Sequence, residues 1–322
     1  MAQTPALRPP AAIRAAALFL LGLPAGAVAA PPPAGDTLPP PFSAPGPVGT
    51  RRALILAGLP GDDDHRALYA GVVEKIVKAL TERHGFPAAE VFVRFGVPTR
   101  DGDGPALAAS RGLSDRAGIE ADVAELRGRL TPEDTLWVIA VGHGHHDGRR
   151  SYFNIPGPDP TEAAFGQLFA GLNCREQLFF ITTSSSGFFL RPLSAPGRIV
   201  VTATEPDQEV NETIYPLALA DVLAAPPPEA DRDKDGALSA LELYLAIATD
   251  VLKRYADAEE IATEHAQLDD NGDGRGTEIQ LNYLPPELGG RTFKAGPPPI
   301  GPKADGALAS KVLVDFPPAP RP

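Results

Sequence analysis

From Asp231 to Ser239 oxygen-bearing groups recur at every second position, and Glu242 follows three residues later. Asp231, Asp233 and Asp235 come first. Gly236 then allows a turn, Ala237 offers a backbone carbonyl, Ser239 a hydroxyl, and Glu242 a carboxylate with two oxygens. That spacing suits a hard cation with six to eight oxygen ligands, Ca2+ above all. Carboxylates gathered without a cation would repel one another. A second acidic run repeats the opening: Asp269, Asn271 and Asp273, then Gly274, Arg275 and Thr277. Its closing position is Gln280, with Glu278 nearby, so the two-oxygen ligand is missing there. A different chemistry lies upstream. His143-Gly144 ends one apolar run, and Thr182-Thr183-Ser184-Ser185-Ser186-Gly187 ends the next. An imidazole can serve as general base, a glycine N–H can approach an oxyanion, and a hydroxyl can act as nucleophile. A simple turn with hydroxyls capping backbone N–H groups has the same composition. His145, His146 and Asp147 follow at once. Adjacent histidines in an extended loop face opposite sides, so they do not readily share one metal ion.

These groups need elements to hold them. Arg51 to Gly58, Val91 to Phe95, Thr135 to Val141, Gln177 to Thr183 and Arg198 to Ala203 are short apolar runs, predicted to be strands. Helical spacing of apolar residues is predicted over His65 to His84, Leu113 to Leu130 (capped by Ser114 or Asp115), Thr161 to Leu172, Asn211 to Ala224 and Leu241 to Tyr255. Strands alternating with helices imply a parallel sheet covered on both faces. Reactive groups in such sheets collect at the carboxyl ends of strands. His143 and Ser184 terminate consecutive strands, so they should lie side by side.

The His-Gly at 143–144, the Ser-Gly at 186–187 and the segment Val200 to Glu209 resemble the caspase–legumain clan, in particular its peptidase C13 branch. The resemblance covers Arg51 to Ala224. It implies a caspase-like fold, with His143 as base and Gly144 as the oxyanion glycine. It also places the nucleophilic cysteine of the clan at Ser184. Cys174, the one cysteine, lies upstream of the strand and cannot take that place. A serine hydroxyl is far less acidic than a thiol and needs a well-aligned base. The substitution therefore implies a silent or altered member acting through binding or regulation. The alternatives are a calcium-supported hydrolase using Ser184 with His143, and a calcium-stabilised structural or surface protein. Residues 231–242 are similar to an EF-hand loop, position by position. Pro226-Pro227-Pro228 stands where the entering helix should end. The motif thus resembles the loop–helix half of an EF-hand, as in dockerins, which implies a structural calcium site.

The expected architecture is α/β: a mostly parallel caspase-like sheet with helices on both faces over 51–225, and an EF-hand-like loop–helix–loop appendage over 229–285. The first 29 residues read as an export signal, with Arg8 and Arg14, a short apolar run, and Ala27-Val28-Ala29 as a cleavage site. A periplasmic or secreted protein follows, with no membrane span once the signal is removed. Residues 30–50 form a proline-rich linker, and 286–322 a Pro/Gly-rich tail whose apolar piece 307–316 either docks as a strand or stays loose. The chain has 322 residues, with 29 Lys and Arg against 41 Asp and Glu, for a net charge of −12. That balance argues against nucleic acid as a partner. It leaves a peptide or protein ligand.

Overall fold

The computed structural model describes residues 49–207, 209–290 and 305–315. The export signal (1–29), all but the end of the linker (30–50) and much of the tail (286–322) lie outside them. The elements in chain order are β1 (Arg51–Ala57), α1 (Asp63–Glu82), β2 (Val91–Arg94), α2 (Pro105–Ala108), α3 (Arg116–Arg129), β3 (Thr135–Val141), β4 (Gly144–His146) and β5 (Ser151–Phe153). They continue with α4 (Glu162–Leu168), β6 (Glu176–Ile181), α5 (Leu190–Leu193), β7 (Arg198–Thr202), α6 (Tyr215–Ala224), β8 (Leu238–Ser239), α7 (Ala240–Asp257), β9 (Gln267–Asp269) and β10 (Leu313–Asp315).

The apolar runs behave as strands buried on both sides. Every residue of β1, β3, β6 and β7 is buried. They belong to one six-stranded sheet in the order β2-β1-β3-β6-β7-β9, parallel throughout except for the antiparallel edge strand β9. Successive side chains point to opposite faces. Ile55, Ile139, Phe180 and Val201 pack with α1, α6 and α7 on one side. Leu54, Val138, Phe179 and Val200 pack with α3, α4 and α5 on the other. The fold is therefore α/β, with a mixed, mostly parallel sheet between two helical layers. Helix starts follow side-chain caps. Asp62 accepts from the His65 N–H at 2.9 Å, and Asp115 from the Gly118 N–H at 2.8 Å.

The C-terminal region joins this sheet. Strand β9 extends it beyond β7, and β10 pairs with β8. Asp270, next to β9, anchors the 305–315 segment by accepting N–H bonds from Gly306, Leu308 and Ala309 at 2.9, 2.8 and 2.7 Å. Arg51 reaches the same segment through the carbonyls of Leu313 and Val314.

One buried ion cluster ties α3 to β2. Asp122 is 0% exposed and accepts from Arg94 Nη2 at 2.9 Å and Arg111 Nε at 2.8 Å. Removing one side of a buried pair strands the other charge. Asp122→Ala is expected to lower unfolding stability by roughly 3–5 kcal/mol in urea denaturation, with an unchanged m-value.

Candidate functional site

The ends of β3 and β6 meet at the backbone. Gly144 lies so close that a Cβ built there would stand 2.4 Å from the Ser184 carbonyl oxygen and 3.0 Å from Thr183 Oγ1. His143 and Ser184 are thus brought to one place by their strands, but their side chains part. Ser184 is 3% exposed, and its hydroxyl bonds to no other described residue. The His143 ring instead packs edge-on against His65, with centroids 5.0 Å apart, and against Tyr69 at 5.6 Å. No hydrogen bond joins His143 to Ser184 among the described residues.

The polar turn after β6 is a fixed piece of structure. Ser185 adopts a left-handed conformation with φ of 53°, uncommon for a residue with a side chain. Its N–H donates to the Glu209 carbonyl at 2.9 Å, and its carbonyl accepts from Ser151 Oγ at 2.8 Å. The Ser185 and Thr183 hydroxyls are buried without a partner. Ser186 Oγ accepts the N–H groups of Ala203 and Thr204 at 3.0 and 3.1 Å. The closing Ser-Gly therefore stitches β6 to β7. Cys174 precedes β6 at its opposite end, and burial pushes its thiol up to about 12.

Other histidines separate as adjacent positions in a strand must. His145 stacks on Tyr152 at 4.7 Å, with Nδ1 2.7 Å from Asn154 Oδ1. His146 stacks on Phe188 at 4.3 Å. The partner of His143 comes from α1, far away in sequence. His65 also stands between two carboxylates, Asp62 and Glu212, at 2.7 and 3.1 Å. No spacing rule marks His65; only the tertiary fold places it here.

The first acidic loop is preorganised. Single oxygens of Asp231, Asp233 and Glu242 all lie within 4.8 Å of one another. Asp231 Oδ1 is buried and unpartnered. Burial, followed by the charges of Glu242, Asp235 and Asp231, raises the Asp233 carboxyl above its usual range. A cation would relieve both, and the donor set is all oxygen. Asp235 is not one of that trio, and its carboxylate accepts the Ala237 N–H at 2.8 Å. Gly236 takes φ of 84°, as the turn requires. Ser239 caps α7, and its hydroxyl donates to Glu242 at 2.8 Å. Asp231, Asp233 and Glu242 could together hold a metal ion.

The second loop is held by its own backbone. Asp269 accepts from Gly272 and Gly274, each at 3.0 Å, Asn271 from Asp273 at 2.8 Å, and Asp273 from Arg275 at 2.9 Å. Gln280 turns into the core, accepts from the Tyr244 hydroxyl, and donates to the Ala266 carbonyl at 3.1 Å. It closes no ligand set.

No family model and no curated protein matches the chain.

Two predictions follow from this geometry. Gly144→Ala forces the ends of β3 and β6 apart and is expected to cost about 1–3 kcal/mol in urea denaturation. The Glu209 carboxylate, bonded to His265, lifts that imidazole to about 9. The raised value means that the pair's stabilisation is complete below about 6.5, the free histidine value. It fades as pH rises through about 9. Urea midpoints should fall across that window in the wild type and show less slope in Glu209→Gln.

Proposed function

We propose that this chain is an exported, calcium-binding relative of the caspase–legumain clan that is catalytically silent and works by holding a peptide or protein ligand. The single observation that carries the reading is at the joined strand ends. Ser184 stands where the clan has its nucleophile, yet it is almost wholly buried, and His143 packs on His65 and Tyr69 without bonding to it. A serine needs an aligned base far more than a thiolate does. The mostly parallel sheet and the polar strand ends support the clan assignment. The charged start, apolar run and small residues of 1–29 support export. Among the described residues no helix is long and apolar enough to cross a membrane.

A hydrolase using Ser184 and His143 is the second reading, favoured by the backbone contact of Gly144 with Ser184. A serine-reactive phosphonate probe separates the two. The silent reading expects no labelling of the wild type in millimolar calcium. Labelling that disappears in both Ser184→Ala and His143→Ala would establish the hydrolase instead.

Calcium supports the fold in either case. The convergence of Asp231, Asp233 and Glu242 at the start of α7 supports an ion there. At free calcium 100-fold above Kd, a single site adds about 2.7 kcal/mol. Asp233→Asn should abolish the calcium-dependent rise in Tm while leaving stability in chelator equal or slightly higher, because one repelling charge is gone. Glu242→Ala should lower Tm even in chelator, since it also removes a capping box worth roughly 0.5–2 kcal/mol. An Asp233→Asn protein that keeps the full calcium response would refute the assignment.

A further inference from the structure

The helix start beside His143 is built like a different metal centre. His65, His143 and Glu212 each offer one ligand atom, and the three atoms lie within 4.8 Å of one another. They come from three separate elements: the first turn of α1, the end of β3, and the loop before α6. The set of two imidazoles and one carboxylate differs in kind from the all-oxygen loop at 231–242. Imidazole favours zinc and its neighbours over calcium.

His65 is oriented as a metal ligand should be. Its Nδ1 lies 2.7 and 2.8 Å from the two Asp62 oxygens. A carboxylate only accepts, so Nδ1 carries the proton. A neutral imidazole then presents a lone pair at Nε2, and that lone pair faces Glu212 Oε2 at 3.1 Å. Two lone pairs at that separation repel. Either a cation or a second ring proton must stand between them. A carboxylate behind a histidine, opposite its ligating nitrogen, is the usual outer support of a zinc histidine. Asp62 also caps α1, so its position is fixed independently of any metal.

His143 completes the set. Its ring makes no side-chain hydrogen bond to a described residue and meets the His65 ring edge-on at 5.0 Å. Tyr69 packs against both rings, 5.6 Å from His143 and 6.2 Å from His65. The Tyr69 hydroxyl is buried without a partner. Burial raises it, and the charges of Glu212 and Asp62 act on it in the same direction. It is a donor within electrostatic reach of the cluster and unclaimed by the protein. Glu212 is exposed, which gives an ion a path from solvent and lets the carboxylate swing to a bonding distance of about 2.0–2.2 Å.

We propose that His65, His143 and Glu212 form a zinc site, with Asp62 orienting His65 from behind. Three protein ligands leave a fourth position for water or for a donor atom of a bound partner. The site gives His143 a role that needs no nucleophile, and it stands whether or not the clan resemblance holds.

Metal-stripped full-length protein titrated with Zn2+ in millimolar Ca2+, by calorimetry, tests this directly. The calcium saturates the oxygen loop, so failure there and failure here read out separately. One equivalent of zinc is expected in the wild type and in Asp233→Asn. His143→Ala and Glu212→Gln should each abolish binding or weaken it at least tenfold. Asp62→Asn should weaken it by roughly 10- to 100-fold. Melting of each variant without metal checks that it folds, and Glu212→Gln alters only an exposed side chain. Co2+ in place of zinc should give a tetrahedral visible spectrum that His143→Ala removes. No uptake by the wild type would overturn the proposal and assign the second proton to His65. Uptake that survives both His143→Ala and Glu212→Gln would overturn it too, and loss in His265→Ala alone would move the ion to the Glu205–Glu209–His265 group.

Discussion

A backbone contact joins the two polar strand ends of this molecule. The sheet brings the carboxyl ends of β3 and β6 so close that residue 144 has no room for a side chain beside the Ser184 carbonyl. That approach depends on parallel pairing of two strands buried on both faces. No hydrogen bond joins the His143 ring to the serine among the described residues. The ring lies instead over α1, where His65 and Tyr69 form its surroundings. The same constraint holds the polar turn at 182–187 in place. Its left-handed Ser185 is pinned from two sides, by the Glu209 carbonyl and by Ser151.

The C-terminal region depends on the sheet as well. Strand β9 is its antiparallel edge, and Asp270, directly after it, gathers the 305–315 segment through three N–H bonds. That segment in turn pairs with β8, the strand inside the first acidic loop. Glu242 takes part twice, as the cap of α7 and as a carboxylate turned toward Asp231 and Asp233. Calcium at that loop would therefore stiffen a chain of contacts running from α7 through β10 to Arg51 on β1.

Much of the fold was legible because parallel strands buried on both faces appear as uninterrupted apolar runs. Thr135 to Val141 matches β3 residue for residue, and the Asp115 cap sets the start of α3. Helix ends drifted where propensity and packing diverge: the helix expected from Asn211 begins at Tyr215, after the loop that carries Glu212. The approach of Asp231, Asp233 and Glu242 was legible because the three lie in one short stretch of chain. The neighbourhood of His143 was not, since Asp62, His65, Tyr69 and Glu212 carry no shared spacing and meet only through tertiary packing. Gln280 shows the opposite case. Its place in a ligand pattern is plain in the sequence, yet Tyr244 and Ala266 draw it into the core.

The central claim is that His143 belongs to the His65 cluster and not to Ser184. Long-range proton–nitrogen NMR of the histidine rings measures this most directly. The account predicts that the His143 ring nitrogens shift in His65→Ala and stay unmoved in Ser184→Ala. A His143 resonance that moves with Ser184→Ala and ignores His65→Ala would contradict it.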